Sequence, residues 1–483
     1  MNNKFRYLPK EKRKKILLVT DDIRVHSGVG NIGKEIVVET CHHFNWVQIG
    51  AAIKHPDIGK KIDVSADTRK MSGVDDAEVF IYPSNGYGDP TLFRNIIKQE
   101  KPDAMFLITD PRYFMHIWQM ENEIRKDMPI IYLNIWDDLP APQYNETYYE
   151  SCDALLGISK QTVNINKLVV LGDKAKNKII RYVPHGRNTD HFFPITNEHK
   201  DYKGLEDFKK FFFKGEEKDF VILFNSRNIR RKSIPDLMVA YRAFLDELPK
   251  AKADKCCLVL HTEKSSDPGT NLEVVAEYLF EDYPKSVIFS EQKLSEQQLN
   301  CLYNMADVTA LMSSAEGWGL ALTESLLTGT PIMANVNGGM QDQMRFVDDN
   351  GEWFTPSADI PSNHRGTFKE HGEWAFPVFP NNRSIQGSPP TPYIFDTRAA
   401  WEDIFYMIMD IYSTPSEERK RIGMEGYKWA TGDEAGFTSI HQGKRVIEAI
   451  DDLFDIWKPR AKYEFLNTKF HNSKRTLRHK LIY

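Results

Sequence analysis

The sequence has no apolar run near the roughly 18 residues that a membrane-spanning helix needs, and no transmembrane segment is expected. Its first apolar run, ILLVT at 16–20, is short and leads into Asp21 and Asp22. That pattern reads as a buried strand and not as a signal peptide. Cysteine is scarce and odd in number: Cys41, Cys152, Cys256, Cys257 and Cys301 have no metal-ligand spacing. A disulfide framework and a zinc site are therefore not expected, and free thiols in a reducing cytoplasm are. No Asp-x-Asp motif stands in a metal-binding context, so no metal is assigned. No internal repeat appears beyond the alternation described below.

What is present suits a globular chain of two or three domains: 483 residues, 41% hydrophobic and 27% charged. The net charge of −5 hides an uneven distribution. Residues 1–15 carry seven Lys/Arg and one acid, and residues 458–483 carry eight and one, leaving an acidic body between two basic tails. Such tails suit an anionic partner, nucleic acid or a membrane surface, or serve only as solvated ends.

Short β-rich apolar runs alternate with amphipathic stretches. The first series has candidate strands at 15–20, 46–53, 78–83, 103–109, 129–136, 154–159 and 179–185, with helices at 31–42, 91–99, 113–127 and 160–170. Residues 195–218 are rich in Lys and Glu and read as a linker. A second series follows, with strands at 219–226, 256–262, 286–291, 308–314 and 331–336 and helices at 234–248, 271–281, 295–304 and 320–328. Alternation of this kind predicts an α/β fold of two parallel, doubly wound sheets. Residues 357–393, rich in Pro, Asn, Gly and aromatics, break the pattern and read as an irregular insert. Helices are expected again at 397–413, 416–430 and 438–457.

The stretch EGWGLALTESLLTGTP (316–331) follows a strand and opens a helix. Gly317 and Gly319 would let backbone approach a ligand closely, and the free N–H groups around Leu320 and Ala321 would favour an anion. Glu316 and Glu324 flank that turn, placed to accept hydrogen bonds from ligand hydroxyls. Two acids near a helix start also stabilise the helix, and the spacing alone favours that plainer account. Upstream, FNSRNIRRKS (224–233) ends a strand with a run of cations that includes Arg227 and Lys232. SGVGNIG (27–33), with Gly28 and Gly30, forms a Gly-rich turn after the first strand. Asp110 and the pair Asp137 and Asp138 lie just past strand ends as candidates to orient or deprotonate a hydroxyl, or as loop acids and caps.

Taken together these segments resemble the retaining GT-B glycosyltransferases of family 4. EGWGLALTESLLTGTPIMANVNGGMQD is similar to the family's signature of two glutamates eight apart, a Gly-x-Pro turn and a Gly-Gly-x-x-Glu turn, with Asp342 at the last acid. Arg227 and Lys232 fall on the family's Arg and Lys, which neutralise the donor diphosphate. YVPHGRNTDHFFP (182–194) resembles the interdomain signature, with His185 in place of Asn, and LYNMADV (302–308) the approach to the signature strand. The family often carries a histidine after a later N-terminal strand; here LITDPRYF (107–114) offers Thr109 and Asp110 instead.

The resemblance implies two Rossmann-like domains facing a central cleft. These are an acceptor domain over 1–195 and a nucleotide-sugar domain over 196–437 with an insert at 357–393. Residues 438–483 would be a C-terminal helix crossing back to the first domain plus a basic tail. It implies a hexosyl- or pentosyltransferase, metal-independent, using a nucleotide-diphosphate sugar, UDP-sugar foremost. Catalytic roles fall on Glu316, Arg227, Lys232 and Asp110, and donor binding on Gly28, Gly30, Arg227, Lys232, Glu316, Gly317, Gly319, Leu320, Ala321 and Glu324. The acceptor stays open between a hydroxylated base in viral DNA and a glycan or lipid-linked acceptor at an anionic membrane surface. A non-catalytic nucleotide-sugar-binding protein is the rival class, and a GT-B epimerase or phosphorylase a third.

Overall fold

The computed structural model describes residues 7–25, 27–52 and 56–460. The basic stretches at 1–6 and 461–483 lie outside the described residues. The described residues form two compact units, one made of those within 1–184, 357–361 and from 442 onward, the other 185–356 and 362–441.

The first unit is built on an eight-stranded sheet: β1 (Lys14–Asp21), β2 (Phe44–Ala52), β3 (Ile62–Asp63), β4 (Val79–Asn85), β5 (Ala104–Ile108), β6 (Ile130–Asn134), β7 (Ala154–Gly157) and β8 (Ile179–Tyr182). Its order is β3-β4-β2-β1-β5-β6-β7-β8, parallel except where β3 pairs antiparallel with β4. Strands such as Ala104–Ile108 and Ile130–Asn134 are buried along their whole length, as expected for a parallel sheet covered on both faces. From Gln442 onward the helix Ser439–Ile456 belongs to this unit, where Asp451 pairs with His43 and Asp452 with Arg181.

The second unit carries a six-stranded, all-parallel sheet of β9 (Phe220–Asn225), β10 (Cys256–His261), β11 (Val287–Phe289), β12 (Val308–Leu311), β13 (Ile332–Asn335) and β14 (Ala375–Val378), in the order β11-β10-β9-β12-β13-β14. In each sheet the chain winds outward from its first strand on one side, then on the other. The reversal falls between β1 and β5 in the first unit and between β9 and β12 in the second. Loops leaving the carboxyl ends of strands at such a reversal frame the ligand crevice of open α/β sheets.

Four expectations need correction. Residues 195–218 are not a bare linker, since Tyr202–Phe212 is a helix whose Leu205 is buried against the helix Glu296–Asn304. Its apolar positions 205, 208 and 212 share one face, which the surrounding Lys and Glu mask. The insert at 357–393 is largely ordered. It supplies β14, an edge strand where Pro377 costs no interior ladder bond, and then the antiparallel hairpin β15 (Asn382–Ser388) and β16 (Thr391–Arg398). The helix expected at 397–413 accordingly starts at Trp401. The single helix expected at 113–127 is three short turns, Pro111–Phe114, Met115–Gln119 and Glu121–Ile124.

Candidate active site

At the reversal point of the second unit, two loops meet: 226–233 after β9 and 312–319 after β12. Glu316 is buried, at 8% exposure. One of its carboxylate oxygens, Oε2, accepts from three donors: Lys232 Nζ, Arg231 Nη1 at 2.9 Å and Ser313 Oγ at 3.0 Å. The other oxygen, Oε1, accepts no hydrogen bond among the described residues. Burial alone would raise the carboxyl pKa, but the charges of Arg231 and Lys232 and the hydrogen bonds from Lys232 and Ser313 outweigh it and hold the group down at about 2. Glu316 is thus ionised throughout the physiological range, with one face gripped and one open.

The turn that follows is pinned from behind. The Gln343 side chain donates to the carbonyls of Trp318 at 2.7 Å and Gly319 at 3.3 Å and accepts from Thr323, which in turn accepts from Trp318 Nε1. The Gly339 N–H donates to the Glu316 carbonyl at 3.0 Å. A Cβ on Gly339 would stand 2.3 Å from the Gly317 carbonyl oxygen, so the second glycine turn is required by close backbone approach. Gly319 precedes the helix Leu320–Leu327 at φ 89°, a left-handed conformation that favours glycine. The first N–H groups of that helix, beginning at Leu320 and Ala321, have no partner within the helix itself.

Glu324 is also buried, in the same helix. Its Oε1 accepts from Arg187 Nε at 2.9 Å and its Oε2 from the Tyr303 hydroxyl at 2.7 Å, and that hydroxyl accepts from Asn225. Burial first, then the charge and hydrogen bond of Glu324, drive the Tyr303 pKa far up, so the phenol stays a donor. His185 is buried with its ring edge-on to Trp318. Burial, aided by the Arg187 charge, lowers its pKa to about 3 and keeps the imidazole neutral.

The second unit therefore brings together Lys232, Glu316, Gly317, Gly319, Leu320 and Ala321, with Glu324 in its own ion pair nearby in the helix. Arg227 lies in the same loop as Lys232, after β9, with its side chain exposed and no ion pair among the described residues. Arg231, Ser313, Arg187 and Tyr303 went unremarked in the sequence. The cation run 230–232 was the one available signal for Arg231.

In the first unit, Gly28 and Gly30 open the helix Gly28–Thr40, capped by Ser27, whose Oγ accepts from the Gly30 N–H at 2.9 Å. The same Oγ donates to Asp21 at 2.5 Å, and Tyr87 donates to the other Asp21 oxygen at 2.6 Å. Asp21 ends β1 and Asp110 follows β5, so both carboxylates stand at the strand reversal. Asp110 caps the turn Pro111–Phe114 and is held by the Arg112 guanidinium through Nε at 2.7 Å and through Nη2. Asp138 is buried and accepts from the Leu139 N–H and from Gln161, a loop acid serving its own turn. Sequence reading missed Asp21, whose partners come from Ser27 and a tyrosine 66 residues away.

Two Rossmann-like units of this kind have the architecture of the GT-B fold. Residues 206–362, about a third of the chain, match the family Glycosyl transferases group 1. The chain is 24% identical over 204 residues to the mannosylfructose-phosphate synthase of Agrobacterium fabrum, a match spanning 41% of this chain and 41% of that relative. Among solved structures it resembles the sucrose-phosphate synthase of Thermosynechococcus elongatus, at TM-score 0.61 and 15% identity over 92% of this chain and all of that one. HepE of Anabaena, solved with UDP and glucose, matches at TM-score 0.60 and 12% identity over 91% of this chain and 100% of that one. At these identities the structural likeness is one of fold. Among the described residues no helix is long and apolar enough to cross a membrane.

Proposed function

We propose that the protein is a retaining glycosyltransferase that moves a sugar from a nucleotide-diphosphate sugar, UDP-sugar foremost, to an acceptor hydroxyl. The observation that carries this reading is the asymmetry of Glu316, a buried, ionised carboxylate with three donors on Oε2 and, among the described residues, none on Oε1. Oε1 is an accessible acceptor on a carboxylate already held in place by its other oxygen, and a sugar hydroxyl is a suitable donor to it. HepE, solved with UDP-glucose, supports the choice of donor, and the family match supports glycosyl transfer.

In this reading Lys232, Arg227 and the N–H groups at Leu320 and Ala321 receive the diphosphate. They stabilise its charge as the bond from the anomeric carbon to the phosphate oxygen breaks, each donor worth about 10²–10³ in rate. Glu316 anchors the sugar hydroxyls, and Glu324 reaches the ribose through the lone pairs that Arg187 and Tyr303 leave. Gly28 and Gly30 bring backbone close to the sugar and leaving phosphate. The acceptor oxygen bonds to the anomeric carbon on the face the phosphate leaves, and its proton passes to the departing phosphate oxygen. Asp110, steadied by Arg112, orients the acceptor hydroxyl.

The acceptor is anionic in this proposal: the tails at 1–15 and 458–483 carry fifteen Lys/Arg against two acids, which suits a hydroxylated base in DNA. A sugar phosphate is the second reading, favoured by the two phosphate-synthase relatives. Nucleotide release from a panel of nucleotide sugars, with product mass from DNA containing hydroxymethylated bases and from hexose phosphates, tests all of this. Glu316→Ala transferring sugar at an undiminished rate would remove the assigned role of Glu316. Absence of release with every donor and acceptor would favour a binding protein without turnover.

A further inference from the structure

Arg231 clasps the Glu316 loop with both its backbone and its side chain. The Ser314 N–H donates to the Arg231 carbonyl at 2.7 Å. Arg231 Nη1 donates to the Ala315 carbonyl at 2.5 Å and to Glu316 Oε2 at 2.9 Å. One residue thus holds three consecutive residues, 314–316, by backbone and side chain together. Two cations meet one carboxylate, so one of them exceeds what charge balance at Glu316 requires. The two differ in kind. A guanidinium is always charged and presents a planar, preorganised fork, whereas an ammonium is a point charge on a flexible stem. The fork also has the second anchor on Ala315, which would be lost if it swung away.

We propose that Arg231 is a positioning residue: it holds the Glu316 side chain with Oε1 turned outward, so that Lys232 can transfer from Glu316 to the diphosphate of an arriving ligand. The proposal rests on the reading of the site as one for a nucleotide-diphosphate sugar and assigns its two adjacent cations different tasks. Lys232 is shared between the empty and filled states, while Arg231 keeps the same partners in both.

The test compares Arg231→Met, Arg231→Lys and Lys232→Met with the wild type. Binding of UDP, by calorimetry, should be weakened about tenfold or more in Lys232→Met and by no more than about threefold in Arg231→Met. Turnover should fall about 10–100-fold in kcat in Arg231→Met with KM little changed, and Arg231→Lys should recover part of it. Crystal structures of ligand-free Arg231→Met should have the Glu316 side chain turned away from its wild-type rotamer. The idea is overturned if Arg231→Met keeps wild-type kcat, if it loses UDP affinity as severely as Lys232→Met, or if Glu316 stays in place without it. If the wild type binds UDP but turns over no donor, the transferase reading fails. The binding ratio and the Glu316 rotamer then still decide the role of Arg231.

Discussion

At the scale of single residues, charge placement in the second unit has consequences for stability as well as for ligands. The folded-state pKa of Glu316 is lowered from 4.5 to about 2. Its ion pairing therefore stabilises the fold fully above the unfolded value and is lost as pH falls through the folded one, a contribution on the order of 3 kcal/mol. Urea titrations from about pH 6 down to about pH 3 should give a wild-type stability that falls with acid. In Glu316→Gln the stability at the upper end should be lower and the acid slope flatter; parallel curves would exclude the pairing. Arg187 and Glu324 form another buried pair. Arg187→Met leaves that carboxylate uncompensated and should cost about 3–5 kcal/mol. Adding Glu324→Gln should return part of the loss. A double-mutant cycle in thermal or chemical unfolding measures the coupling, and strict additivity would show the two side chains to be independent.

At the scale of elements, the parts legible in the sequence were those whose signal is local. β1, β5, β6, β9 and β12 are apolar runs bounded by polar residues, and the glutamate-bearing turn announces itself by glycines between a strand and a helix. The helix Tyr202–Phe212 was hidden because its buried side is narrow and its composition is that of a solvated segment. β15 and β16 were hidden for the opposite reason: with Arg383, Ser384, Ile385 and Gln386 all wholly or partly exposed, neither face has an apolar rhythm to read. In the site, Lys232 and Glu316 belong to recurring patterns, whereas Arg187 reaches Glu324 across 137 positions and no local rule announces it. The hairpin also has a structural hold on the site loop, since the Thr397 N–H donates to the Ser314 carbonyl at 2.9 Å and Asn335 donates to the Thr397 carbonyl at 2.6 Å. Gly339 is the element-scale weak point. Gly339→Ala drives a methyl into the Gly317 carbonyl and should destabilise the fold by about 2 kcal/mol or more, with nucleotide affinity falling alongside. A melting temperature within a degree or so of wild type would mean that the two glycine turns can separate without cost.

At the scale of the whole molecule, the distribution of charge sets what the protein meets and how salt governs it. The body of the chain is acidic, so any polyanion must be drawn by the basic ends against a repulsive background. Removing the C-terminal tail is the direct test, and the structure fixes where to cut. Arg460 donates to Glu121 at 2.7 Å and to Asn122, and its N–H donates to the Arg125 carbonyl, so it serves the first unit's own structure. A truncation ending at Arg460 removes six Lys/Arg and one acid while leaving those hydrogen bonds intact. If the acceptor is DNA, binding to duplex should weaken steeply between about 50 and 200 mM salt. The log–log slope should then become shallower on truncation by roughly 0.9 for each phosphate that the tail no longer neutralises, on the order of 3–5 in all. Transfer to a soluble hexose phosphate should be unaffected by the same cut. An unchanged salt slope in the truncated protein, with full activity on sugar phosphates, would reject the polyanion and leave the small phosphorylated acceptor as the substrate.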